Sequence, residues 1–167
     1  MNIAIRRMAA EDVPLIVGIE NRWSFLSKWR EEGYRAVMCN PRVYTCLVAE
    51  DLKPETSDRP VVVGLSVLAQ LIDHCELCNL VVSPEYLSKG IGYQLLQQCL
   101  EAARYFQIPR MLLEVRQSNV RAIEFYKTNR FRIMSERKNY YLNPRENAWV
   151  MERPVDRAGQ GNPESDR

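Results

Sequence analysis

The chain has 167 residues, 46% hydrophobic and 26% charged, a balance that fits one globular domain with one sizeable core. A formal net charge of +2 is too small to point to nucleic acid or an anionic membrane as the main ligand. No apolar run reaches the roughly 18 residues of a membrane span, and Met1 to Asp12 lacks a signal peptide's apolar centre, so a cytoplasmic location is expected.

In chain order, Ile3 and Ile5 open a short strand. Val13, Ile16, Val17 and Glu20 recur at helical spacing from about Glu11, with Glu11 and Asp12 at the positive end. A second helical stretch, about Ser24 to Met38, is interrupted by Gly33 and ended by Pro41. Val43–Glu50, Val61–Ile72 and Glu76–Val82 read as three strands of an antiparallel meander, with a loop over Asp51–Pro60 and a turn at His74. From Gly90 the period changes. Ile91, Leu95, Leu96, Cys99, Leu100, Ala103 and Phe106 mark one helical face.

Met111–Arg116 is then a short strand, and Asn119–Thr128 a helix with Asn119 as its N-cap. Phe131–Tyr141 and Asn147–Glu152 close the chain as strands, and only the part after Glu76 has the order of a parallel crossover. The expected fold is α+β: one domain over residues 1–155, with a mixed, mostly antiparallel sheet of about seven strands and about four helices on both sides. Residues 156–167 are polar and predicted to form a disordered tail.

Five cysteines, an odd number, argue for reduced thiols. Cys75 and Cys78 form a lone C-x-x-C. Positions three apart on a strand face opposite ways, which argues against shared chelation, and no metal site is expected. Cys78 and Cys99 lie on apolar patterns with no histidine placed to activate them, so a cysteine nucleophile is disfavoured.

Three features can carry chemistry. Ser83-Pro84-Glu85-Tyr86-Leu87-Ser88-Lys89-Gly90-Ile91-Gly92 joins a strand to a helix, where the bare amides of two glycines and the helix's positive end favour phosphate; a plain tight turn is the alternative. The loop lacks the Gly-Lys-Ser/Thr of a P-loop, and Leu95 stands where a dinucleotide fingerprint needs a third small residue. Glu114 interrupts the apolar run Met111-Leu112-Leu113, so half-burial would raise its pKa into a general base's range; the alternative is a solvated carboxylate paired with Arg116 or another cation. Tyr126 lies one helical turn beyond Ala122 and Ile123. It is either a core tyrosine or a phenol aimed into a cleft.

Taken together, Leu77 to Tyr93, Leu113-Glu-Val-Arg-Gln-Ser-Asn119 and Ala122-Ile-Glu-Phe-Tyr126 resemble the GNAT superfamily of N-acetyltransferases. Within it the chain is most similar to the bacterial ribosomal-protein alanine N-acetyltransferases of the RimI type, firmly over about Val61–Val155 and poorly between Asn21 and Ser57. The resemblance implies acetyl-CoA as cosubstrate, with Leu80, Val81 and Val82 along its pantetheine arm and Ser88, Lys89, Gly90, Ile91, Gly92 and Tyr93 around its diphosphate. It further implies Asn119 as a cofactor ligand, Glu114 as general base and Tyr126 as general acid. Arg137-Lys-Asn-Tyr140-Tyr141 resembles the segment that helps form the acceptor slot for protein N-termini. The implied acceptor is a protein α-amine, a ribosomal protein with N-terminal alanine among the options. A small-molecule amine or lysine acceptor, and a non-catalytic CoA-binding module, are the alternatives.

Two departures from the family pattern stand out. Leu87 and Ser88 replace a loop opening that usually carries arginine, leaving Lys89 as the loop's own cation. Arg130 stands where a glycine commonly precedes the phenylalanine, with Asn129 expected to take the left-handed turn instead.

Overall fold

The computed structural model describes residues 1–23, 28–55 and 57–156. Residues 24–27 of the second predicted helix, position 56 of the predicted loop and nearly all of the predicted tail lie outside that set. The elements run β1 (Ile3–Arg7), α1 (Val13–Asn21), α2 (Glu31–Met38), β2 (Tyr44–Asp51), β3 (Val61–Gln70), β4 (Cys75–Val82), α3 (Ile91–Tyr105), β5 (Arg110–Arg116), α4 (Val120–Thr128), β6 (Arg132–Leu142) and β7 (Arg145–Pro154). The strands make one sheet in the order β1-β2-β3-β4-β5-β7-β6. All neighbours are antiparallel except β4 and β5. Among the described residues the seven strands and four α-helices form the α+β architecture that was expected.

Two apolar cores sit on the two faces of this sheet. Leu77, Leu95, Leu96, Leu100, Met111, Leu113 and Tyr126 pack α3 and α4 on one side. Val13, Ile16, Tyr34, Val48, Leu65 and Val81 pack α1 and α2 on the other. The strip Ile91, Leu95, Leu96, Cys99, Leu100, Ala103 on α3 is buried to 1% exposure or less, as its spacing requires.

Several local expectations are corrected. Gly33 does not interrupt its helix. It lies in the first turn of α2, where the backbone is least dependent on propensity, and its N–H bonds the Arg30 carbonyl at 3.0 Å. Phe106 leaves the apolar face because α3 ends at Tyr105, and it stays exposed against Tyr105. Asp12 stands at the positive end of α1, as expected, with further partners that the spacing did not show. It is buried, and accepts from both Arg6 guanidinium nitrogens (2.7 and 2.9 Å) and from the Ala9 N–H. The last part of the chain is not a simple second crossover, because β7 inserts between β5 and β6 and pairs with both.

The left-handed residue after α4 is Arg130 itself, at φ +66, while Asn129 stays at φ −97 and returns its side-chain amide to the Phe125 carbonyl at 2.8 Å. A Cβ in that region costs about 1 kcal/mol relative to glycine. Arg130→Gly is therefore expected to stabilise the fold by up to about 1 kcal/mol and raise Tm by a few degrees in thermal denaturation.

Candidate active site

The site is built around an irregularity in β4. Val67 pairs with Asn79 but Leu68 pairs with Leu77, so Cys78 is an extra residue in the strand. One extra residue reverses the face of everything after it. Cys75 and Leu77 point into the α3 core, and after the bulge it is Leu80 and Val82 that pack there, while Val81 joins the α1–α2 side. Asn79 faces the α1–α2 side too. Its amide donates to Glu20 Oε1 at 2.7 Å and to the Tyr34 hydroxyl at 2.8 Å, and Glu20 also takes the Trp29 N–H at 3.3 Å. The bulge is thus tied to both helices.

Beyond it β4 parts from β5. Their parallel pairing is confined to Cys75 with Met111 and Glu76 with Leu112. The Ser83 N–H bonds the Val63 carbonyl at 2.8 Å, and the antiparallel alternation then turns the N–H and C=O of Leu80 and Val82 away from β3 and into the gap. The Trp23 indole N–H on the Val82 carbonyl, at 3.1 Å, agrees with that phase. By the same alternation Val81 spends its backbone groups on β3.

Two clefts open from the gap. The first, about 480 Å³, is lined by Leu80, Val81, Val82, the Leu87–Tyr93 turn without Lys89, and α4 residues from Asn119 to Asn129. Ser88 and Gly90 both take positive φ (60 and 78), which swings the chain into α3. The left-handed turn at Gly90 is a conformation glycine adopts without steric cost. The first helical bond, from the Gln94 N–H to the Gly90 carbonyl at 3.0 Å, leaves the preceding amides at the helix's positive end for a ligand. A Cβ on Gly92 would stand 3.6 Å from Phe125 and 3.7 Å from Leu80, inside the cleft. Lys89 is the exception in this loop: its ammonium lies 4.6 Å over the Tyr86 ring, drawn there by a cation–π attraction, and it does not line the cleft.

The second cleft, about 620 Å³, is lined by Trp29, Glu76, Cys78, Glu114, Tyr140 and Tyr141 among others. Burial pushes the Glu114 carboxyl above its ordinary range and nearby Glu76 adds to this, while the Arg137 guanidinium at 3.2 Å works in the opposite direction. Arg116 is not its partner. It is buried, bonds Glu146 and the carbonyls of Asn143 and Pro144, and covers the Tyr141 ring at 4.0 Å. Cys78 is exposed and lines this cleft. Cys99 is buried against Ser66, its thiol pushed up to about 12 by burial, and the His74 ring is engaged by Asp73 and Glu76.

The two clefts share Leu80, Asn119, Ala122 and Tyr126. Asn119, which lines both clefts, caps α4 by accepting the Ala122 N–H at 3.2 Å through its side-chain oxygen. Tyr126 is 8% exposed, its ring held edge-on by Phe125 and Phe131 at 5.3 and 5.5 Å. Burial raises its pKa, so the hydroxyl stays a proton carrier at neutral pH.

The acetyltransferase (GNAT) family model matches residues 15–131. The chain belongs to the GNAT family. Among its relatives, the ribosomal protein bS18-alanine N-acetyltransferase of Haemophilus ducreyi is 32% identical over 106 residues, covering 62% of this chain and 73% of that one. The crystal structure of the ribosomal-protein-S18-alanine N-acetyltransferase from Escherichia coli superposes with a TM-score of 0.77 at 25% identity, over 96% of this chain and 98% of that one. The PaiA N-acetyltransferase of Thermoplasma acidophilum, solved in complex with coenzyme A, shares the fold with a TM-score of 0.72 at 19% identity, over 92% and 99%.

Reasoning from the sequence of this GNAT enzyme missed Glu76, Cys78 and Trp29 as cleft residues. Glu76 carried a usable signal. It pairs with Leu112, two positions before Glu114 on the same face, but that follows only once the β4–β5 register is known. Among the described residues, no helix is long and apolar enough to cross a membrane.

Proposed function

We propose that this N-acetyltransferase moves the acetyl group of acetyl-CoA directly onto the free α-amino terminus of a protein, with a ribosomal protein bearing N-terminal alanine as the first acceptor to test. One observation carries the reading: two clefts of different lining, one apolar and rimmed by helix amides, the other holding Glu114, meet at Leu80, Asn119, Ala122 and Tyr126. That arrangement lets donor and acceptor be present together, as direct transfer needs. The names of the relatives above support the choice of acceptor.

Leu80 and Val82 receive the pantetheine arm as an added strand would be received, and the amides leading into α3 take the diphosphate. Glu114, directly or through water, removes the amine proton. The amine nitrogen bonds the acetyl carbon, the Val82 N–H supports the oxyanion, and the carbon–sulfur bond breaks as Tyr126 gives its proton to the leaving thiolate. An α-amine, with a pKa of about 7.7–8.0, is partly neutral already. A lysine amine at about 10.4 costs roughly 3 kcal/mol more to deprotonate, which favours the α-amine with a single carboxylate base.

The second carboxylate in the acceptor cleft, Glu76, favours one other reading, a small polycationic amine. Labelled acetyl-CoA offered with an alanyl peptide, the same peptide blocked at its N-terminus, and a panel of polyamines separates them. Label on the free peptide alone is the expected result. Label on polyamines alone would replace the reading, and binding of acetyl-CoA without transfer to any amine would make the chain a non-catalytic CoA-binding module.

A further inference from the structure

The diphosphate loop of the proposed donor cleft has amides but no cation of its own turned toward the ligand. Lys89 lies over the Tyr86 ring, outside the lining. Arg22, which reaches the start of this loop, is held by the Ser83 hydroxyl at 3.1 Å and the Glu85 carboxylate at 2.8 Å. One charged side chain lines the cleft among the described residues, Arg121. It sits on the first turn of α4, two residues after the Asn119 cap, and its guanidinium donates to the Ser88 hydroxyl at 3.2 Å.

That bond is to a neutral group. No carboxylate pairs with Arg121 among the described residues, and the nearby Glu124 is taken by Lys127 at 2.9 Å. A guanidinium with no counter-ion thus stands on the rim of an apolar cleft, next to the amides of a helix start, and both favour the same kind of ligand.

We propose that Arg121 is the phosphate-binding cation of this enzyme, bridging from α4 to the Ser88–Gly92 turn to hold the diphosphate of the donor. The assignment rests on the acetyl-CoA reading above. A guanidinium forms two parallel charge-assisted bonds to phosphate, and its hydrogen bond to Ser88 already holds it at the turn. The cation that the loop lacks comes instead from the neighbouring helix.

Calorimetric titration of wild-type protein and Arg121→Ala with CoA and with 3′-dephospho-CoA, joined to kinetics with acetyl-CoA and with S-acetylpantetheine, tests this. Arg121 is exposed, so the variant is expected to keep the wild-type Tm. The expected result is a loss of about 10- to 100-fold in affinity for both CoA and 3′-dephospho-CoA. KM for acetyl-CoA should rise to match with kcat preserved, kcat/KM for S-acetylpantetheine should not change, and Arg121→Lys should recover part of the loss. A loss confined to CoA would move the contact to the 3′-phosphate and overturn the diphosphate assignment. Equal losses on acetyl-CoA and S-acetylpantetheine would show Arg121 to be a structural pin. Unchanged CoA affinity in the variant would overturn the assignment alone, whereas a wild-type protein that binds no CoA would overturn the donor reading with it.

Discussion

Glu114→Gln is expected to lower kcat by about 10²- to 10⁴-fold with acetyl-CoA binding intact, because it removes the base and keeps the shape. The carboxylate lines the second cleft, and its surroundings suit that role. Burial lifts its pKa above the ordinary carboxylate value, and Arg137 at 3.2 Å keeps it from rising further. The sign of the pH dependence follows. The base works when ionised, so kcat should rise with pH through a value above 4.5. Arg137→Gln removes the cation that favours the ionised form, and should move that limb to higher pH while leaving the plateau nearly unchanged. Rates measured from acidic to neutral pH check both points. A Glu114→Gln enzyme with wild-type kcat would remove Glu114 from the mechanism.

Asn79→Leu is expected to cost about 3 kcal/mol and to lower Tm by about 6–12 °C. Glu20 is 1% exposed, and burial has already raised its pKa against the donors that hold it, Asn79 first among them. Removing the 2.7 Å bond from Asn79 leaves a buried carboxylate with fewer donors and raises that pKa further. A carboxylate with a raised folded-state pKa adds stability that is complete below its unfolded value and disappears as pH rises through the folded one. The deficit of the variant should therefore be small in acid and grow toward neutrality. Thermal unfolding at mildly acidic and neutral pH measures it; a loss below about 1 kcal/mol at both would mean the Glu20–Asn79–Tyr34 network does not hold the bulge.

How much of this was legible in the sequence depended on whether a feature was local. The α3 face from Ile91 to Ala103 and the Asn119 cap follow from period and cap chemistry and lie where the pattern put them, and the strand expected over Val61–Ile72 starts at Val61 but ends at Gln70. The Cys78 bulge was not legible. Cys-Asn-Leu-Val carries no glycine or proline to mark an extra residue, and the bonds that tie the bulge run from Asn79 to Glu20 on α1 and Tyr34 on α2, far away in the sequence. Glu20 was visible on the apolar side of α1, but its partner lies 59 residues away. The insertion of β7 between β5 and β6 is likewise a matter of long-range pairing.

In the site, Glu114, Tyr126, Tyr140 and Tyr141 could be singled out by residue type against an apolar or alternating background. Their convergence could not, since it requires the strands to part after Glu76. The misplaced residue was Lys89. The family resemblance implied its charge at the diphosphate, whereas the structure, with a left-handed residue at Ser88, has it over Tyr86.

The meeting of donor and acceptor at Leu80, Asn119, Ala122 and Tyr126 is tested most directly by one titration. CoA joined through an acetyl linker to the α-nitrogen of an alanyl peptide should bind about 10²- to 10⁴-fold more tightly than CoA alone, because its two halves fill both clefts at once. Affinity no greater than that of CoA would contradict the shared junction and, with it, direct transfer between the two clefts.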